Sequence, residues 1–113
     1  MSDAEAFFDT SVLLYLLSAD VDKADRAEEL LAGSGAISVQ VLNEFTAVAL
    51  RKLGLSFAEV REVLGTIRTV CVTHPLTIEH HDKGSEIAER YGFSFYDSVI
   101  IASALLAECK ILY

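Results

Sequence analysis

Cysteine is scarce in this chain of 113 residues: only Cys71 and Cys109 occur, and no CxxC or Cys/His spacing ties them to other ligands. A disulfide-stapled secreted scaffold needs more, and structural zinc needs closer, patterned ligands, so both readings fall away. The two thiols lie among apolar residues and are expected to be buried. Long apolar runs are missing too. None approaches the roughly 20 residues of a membrane span. The start, Met1-Ser2-Asp3-Ala4-Glu5, lacks the basic residues of a signal peptide. The sequence therefore reads as cytoplasmic, without membrane contact. Basic residues are few, 9 Lys and Arg against 17 Asp and Glu, for a formal net charge of −8. That excludes a groove holding nucleic acid by charge alone. It leaves room for a nuclease whose bound cations supply positive charge, and it suits a basic protein partner.

Further absences narrow the chemistry. No glycine-rich phosphate loop exists, which argues against nucleotide hydrolysis of the P-loop kind. No Ser/His/Asp or Cys/His arrangement stands out for covalent catalysis. His74, His80 and His81 follow no metal spacing with one another or with the acids, and read as plain surface histidines. No repeat, linker or low-complexity tract divides the chain, so residues 1–113 are taken as one domain.

What is present is apolar and ordered in period. The hydrophobic fraction is 52%, enough for a compact core and against disorder. A domain this long can bury roughly two-thirds of its unfolded surface. Part of the apolar excess is available to cover a partner, which makes a homodimer plausible. Ala6-Phe7-Phe8 reads as a first strand with Asp9 at its end, followed by a short buried helix from Ser11 to Leu17. Asp20 or Asp22 caps a helix through Ala24, Ala27, Leu30 and Leu31, stopped at Gly33. Ala36-Ile37-Ser38 is a second strand. Val39 to Leu53 is a long amphipathic helix ended by Gly54, and Ser56-Phe57-Ala58-Glu59 is a capping box opening a helix to about Arg68. Val70-Cys71-Val72 is a third strand. A helix from about Thr77 to Arg90 precedes Gly92, and Ser94 caps the last, Phe95 to about Glu108. Ile111-Leu112-Tyr113 begins a fourth strand. Strands alternate with helices and no tight hairpin joins two strands. The expectation is a three-layer α/β/α fold with a central parallel sheet and right-handed crossovers.

In such sheets the site lies beyond the carboxyl ends of the strands, where Asp9 falls. Glu44 has Gln40, Ala47 and Arg51 on its own helical face and borders the apolar stripe of Val41, Phe45 and Val48. Asp97 follows Ser94 at capping spacing and opens a helix that is almost wholly apolar from Val99 to Ala107, hence buried. Each acid alone has an ordinary structural explanation, as a cap or a solvated helix residue. Together at one sheet edge they would repel one another unless a cation neutralised them. Oxygen-only ligands select hard ions, Mg²⁺ or Mn²⁺, over zinc. Such an ion can stabilise the charge that builds on a phosphodiester during cleavage.

Phe8-Asp9-Thr10-Ser11-Val12-Leu13, Ser38-Val39-Gln40-Val41-Leu42-Asn43-Glu44-Phe45 and Tyr91-Gly92-Phe93-Ser94-Phe95-Tyr96-Asp97 together resemble a PIN domain, above all the VapC-type toxin ribonucleases. The resemblance runs through the whole chain in order, and the tyrosine-glycine-to-aspartate segment is its most specific part. It implies a PIN-like sheet, Mg²⁺-dependent RNA cleavage with Mn²⁺ as substitute, a cognate antitoxin and a homodimer. By resemblance Asp9, Glu44 and Asp97 are the catalytic and metal-site acids, with Thr10 and Ser11 as supporting polar residues. The family often has Asn where Ser11 stands, and a serine can still hydrogen-bond. The family usually carries a further acid just after the strand at Ile111, then another helix and strand; the sequence ends at Tyr113, which reads either as a fragment or as a short form, lacking those last elements, with a three-carboxylate site.

Arg51 and Lys52 read as solvated helix residues, with Arg51 the candidate for contact with RNA phosphate. Two competing readings belong to other classes. A haloacid-dehalogenase-type phosphatase also starts from an Asp at the first strand's end, but needs a second Asp two residues on, where Ser11 stands. A PIN-like module that only binds a partner or RNA, weak or inactive in cleavage, is the alternative that metal-dependent cleavage of an RNA pool would exclude.

Overall fold

Capped helices and short β-branched or aromatic runs alternate along the chain, and each run finds its neighbour in parallel. The computed structural model describes residues 5–113. The start read as lacking a signal peptide lies, apart from Glu5, outside the described residues. Four strands, β1 (Ala6–Phe7), β2 (Gly35–Ser38), β3 (Cys71–His74) and β4 (Ile111–Leu112), form one sheet in the order β3-β2-β1-β4, every pair parallel. Around it lie α1 (Thr10–Tyr15), α2 (Val21–Ala32), α3 (Val39–Lys52), α4 (Phe57–Val70), α5 (Ile78–Tyr91) and α6 (Phe95–Leu106). This is the α/β/α arrangement that the alternation predicts.

The register explains why the sheet's carboxyl edge is well defined. Phe7 pairs with Ala36 on one side and Leu112 on the other, and Ser38 pairs with His74. Phe7, Phe8, Leu13, Ile37, Val41, Phe45 and Ile100 are fully buried among these elements, each large apolar side chain contributing roughly 1.5–3 kcal/mol by leaving water. α6 is buried along most of its length, as its apolar sequence requires. Its two interior hydroxyls are satisfied within the helix: Ser98 Oγ donates to the Ser94 carbonyl at 2.8 Å and Ser103 Oγ to the Val99 carbonyl at 2.9 Å.

Two glycines are demanded by close approach. A Cβ on Gly35 would run into the Phe8 ring and lie 2.9 Å from the Ala6 carbonyl oxygen, so β2 can sit beside β1 only without a side chain there. A Cβ on Gly84 would stand 2.8 Å from Val99 Cγ2 and 3.1 Å from Val99 Cα, which sets how closely α5 approaches α6.

The sequence expectations need correction at several points. The third strand does not start at Val70. α4 runs through Val70, and β3 is Cys71–His74 because all four of its residues pair with β2. Gly33 ends α2 but keeps right-handed backbone, and the left-handed residue is Ser34, with φ 64°. Cys71 is buried, and burial pushes its thiol up to about 11, so it stays protonated and unreactive at neutral pH. Cys109 is only half-buried. His80 is not a surface histidine. It is buried, and its Nδ1 accepts from the Thr77 amide at 3.2 Å while meeting the Thr77 hydroxyl at 2.7 Å, closing the start of α5.

Candidate active site

Asp9 stands where β1 gives way to α1. Its amide donates to the Tyr113 carbonyl at 3.0 Å, so the end of β4 fixes its backbone. Its side chain caps α1: Oδ1 accepts from the Thr10 amide at 2.7 Å and Oδ2 from the Ser11 hydroxyl at 3.2 Å. The capping role foreseen for this residue is therefore real, and it orients both carboxylate oxygens. The supporting polar residues expected beside it, Thr10 and Ser11, both touch the site's acids.

Thr10 is the hinge between strands and helices. It is buried, and its hydroxyl donates to Glu44 Oε1 at 3.1 Å across 34 residues of sequence. Glu44 Oε2 accepts from Gln40 Nε2 at 2.8 Å, one turn earlier on α3. Glu44 is thus half-buried and held by two neutral donors, pointing toward α1 and not standing free in solvent. The i, i+4 spacing that put Gln40 on Glu44's helical face in the sequence thus becomes a hydrogen bond, though sequence reasoning did not single Gln40 out as a candidate.

Asp97 is exposed in the first turn of α6. Its amide is capped by Ser94 Oγ at 3.2 Å, and among the described residues nothing hydrogen-bonds its carboxylate. Asp9 and Asp97 line one cavity of about 300 Å³ with Ile100, Ile101, Leu112 and Tyr113. Its floor is apolar, and Tyr113 stacks on Phe8 with ring centroids 6.0 Å apart. The cavity opens beyond the carboxyl ends of β1 and β4, the position expected for a site in a parallel sheet.

The three acids are placed unequally. Asp9 and Asp97 face the same space, while Glu44 reaches it through Thr10 and does not line it. Among the described residues no three acids, histidines or cysteines converge tightly enough to hold an ion as they stand. Yet the donor chemistry suits a hard divalent cation. All the donors are oxygen, and the sole ion pair among the described residues is Arg26 with Glu29 on the surface, so no lysine or arginine neutralises these carboxylates. The histidines lie outside the cavity. Arg51 is exposed in the last turn of α3, seven residues and so roughly 10 Å along the axis from Glu44.

The PIN domain family model matches residues 6–113. No curated protein matches the chain. Among solved structures, it is similar to the Mycobacterium tuberculosis VapC20, a sarcin-ricin loop cleaving toxin, with TM-score 0.78, 23% identity, and coverage of 96% of this chain and 87% of that one. A toxin-antitoxin complex from Klebsiella pneumoniae gives TM-score 0.73 at 18% identity, over 96% and 84% of the two chains. VapBC2 from Rickettsia felis, bound to a DNA fragment from their promoter, gives 0.68 at 19% identity, over 96% and 85%.

Proposed function

The chain belongs to the PIN domain family, and from that premise we propose that it is a metal-dependent endoribonuclease, the toxin of a toxin–antitoxin pair. The observation that carries the reading is the shared cavity of Asp9 and Asp97 at the sheet's carboxyl edge, with Glu44 tied to it through Thr10 and, among the described residues, no basic side chain paired with any of the three. Asp9, Glu44 and Asp97 would hold Mg²⁺ or Mn²⁺. A hard ion there supplies the positive charge against which a phosphodiester's developing negative charge is stabilised.

The chain's own residues then divide the work. Asp9 is fixed by Thr10 and Ser11, so its remaining lone pairs keep one direction. Glu44, locked by Thr10 and Gln40, offers a second anchored carboxylate. Asp97 is unrestrained and exposed, and it could turn toward the ion or accept a proton from an attacking water. The apolar floor of Ile100, Ile101 and Leu112 limits competing water.

The partner side of the proposal rests on surface character. Net charge is −8, and an apolar groove of about 530 Å³ runs between the end of α1 and α4, with Leu16, Leu17 and Val63 inside and Glu59 and Glu62 at its edge. Such a groove suits a basic, amphipathic antitoxin segment. The exposed apolar surface also supports a homodimer. No described helix is long and apolar enough to cross a membrane, and we place the protein in the cytoplasm, with Arg51 as a contact for RNA phosphate.

The test is Mn²⁺ titration calorimetry on wild type and Asp9→Asn, with cleavage of a mixed RNA pool in parallel. Binding and cleavage in the wild type, both lost in Asp9→Asn, support the proposal. Equal affinity in the two proteins refutes the metal site. The second reading is a PIN-like module that binds RNA or a partner without cutting, in keeping with Glu44 standing outside the cavity that Asp9 and Asp97 line. RNA binding without metal-dependent cleavage would select it.

A further inference from the structure

A second cavity, about 450 Å³, has a lining distinct from the first and no carboxylate in it. Leu76, Ile78, His81, Phe95 and Tyr96 supply its walls, and Gln40 closes one side. These are not core residues left slightly open: Ile78 is 77% exposed and Tyr96 62%. His81 meets Phe95 edge-on at 5.3 Å, and Phe95 and Tyr96 are tilted by 56° at 5.9 Å, so two aromatic faces of different orientation border one space.

We propose that this pocket binds one unpaired nucleobase of the RNA whose phosphate lies at Asp9 and Asp97. The inference rests on the ribonuclease reading above and adds to it the way the strand is held. Three observations choose a base as occupant. The pocket is tied to the acids through its own lining residues: Tyr96 immediately precedes Asp97, and Gln40, which lines the pocket, is the residue whose Nε2 holds Glu44. No lysine or arginine lines it, so it cannot hold phosphate by charge, whereas single-stranded RNA is held sequence-tolerantly by stacking on aromatic rings. Its polar groups suit a base edge. Gln40 commits its Nε2 to Glu44, which leaves its side-chain oxygen as an acceptor for a base donor, and Thr77 and His81 also line the pocket. In a protein of net charge −8, stacking also supplies affinity that phosphate contacts do not.

The experiment measures binding of a short single-stranded oligoribonucleotide to the cleavage-blocked Asp9→Asn protein, in Mn²⁺, by fluorescence anisotropy. A set of oligonucleotides carries one abasic position each. The expected result is that one abasic position near the cleaved bond weakens binding about tenfold, the scale of a lost base–aromatic stack. Tyr96→Leu should weaken intact RNA by a similar factor and remove the difference between intact and abasic strands, while Tyr96→Phe keeps both. Tyr96 is exposed, so these variants retain the fold, checked by circular dichroism. Equal binding of all abasic strands overturns the inference. So does a Tyr96→Leu protein that changes oligomeric state in sedimentation but binds RNA as before, which would assign this face to a second copy of the chain. Base-dependent binding by a wild type that cleaves nothing would uphold the pocket and refute the nuclease reading.

Discussion

At the scale of single residues, Thr10 has the largest consequence for its size. Its amide caps against Asp9 and its hydroxyl reaches Glu44, so one buried side chain sets the relation between two acids from distant parts of the sequence. Thr10→Val keeps the shape and the amide bond but removes the hydroxyl. Losing an outer partner of a metal-site carboxylate typically costs 10- to 100-fold in affinity or activity, and we expect Mn²⁺ affinity to fall about tenfold with the melting temperature little changed. Unchanged affinity by calorimetry would mean that Glu44 takes no part. Ser34 makes an independent case. Its φ of 64° costs a non-glycine residue roughly 1–2 kcal/mol, part of which glycine returns through a freer unfolded chain. Ser34→Gly should therefore raise stability by about 1 kcal/mol in urea titration, and a loss of stability would show that the Ser34 side chain contributes to the turn.

Elements show where sequence reading succeeds and where it stops. Caps were legible because they are local: Ser56 with Glu59 and Ser94 act where their spacing placed them, and of the two candidates Asp20 and Asp22 it is Asp20 that caps α2. The parallel sheet was legible from alternation. What was not legible depended on contacts between distant segments. Val70 joins α4 since pairing with β2 begins only at Cys71, and His80 turns inward because Thr77 gives it a partner. Likewise the unequal placement of the three acids follows from strand order, which periodicity cannot supply. Two predictions belong here. Gly84→Ala forces a methyl against Val99 where α5 meets α6, and overpacking of this kind costs about 1–3 kcal/mol, readable as an earlier unfolding midpoint; an unchanged midpoint would show the two helices free to part. The second concerns pH. The Ser56 amide, and then its hydroxyl, hold the Glu59 carboxyl below its ordinary 4.5. Because the folded value lies below the unfolded one, the contribution to stability is present above about 4.5 and is lost as pH falls through the folded value. Glu59→Gln should flatten that part of the stability profile in acid unfolding, and an identical slope in both proteins would remove the capping box from the account.

For the whole molecule, charge is the dominant long-range fact. Seventeen acids face nine basic residues, and among the described residues the one ion pair, Arg26 with Glu29 at 3.5 Å, is exposed. An exposed pair of this sort is worth at most about 1 kcal/mol, so salt has little attraction to screen and much repulsion. Raising NaCl shortens the range of charge interactions from about 30 Å at 0.01 M to about 10 Å at 0.1 M. The melting temperature should therefore rise with NaCl, most steeply at the low end, before levelling off. Association with a basic partner should move the other way, because there the screened term is attraction. Mn²⁺ supplies a contrast at fixed ionic strength. If it binds the folded acids, its stabilisation grows with the logarithm of its concentration over its dissociation constant, and Asp9→Asn should respond to NaCl yet not to Mn²⁺. A melting temperature that falls with NaCl would contradict the repulsion argument. A variant that gains as much from Mn²⁺ as the wild type would show the ion acting as general screening salt and not as a ligand of Asp9.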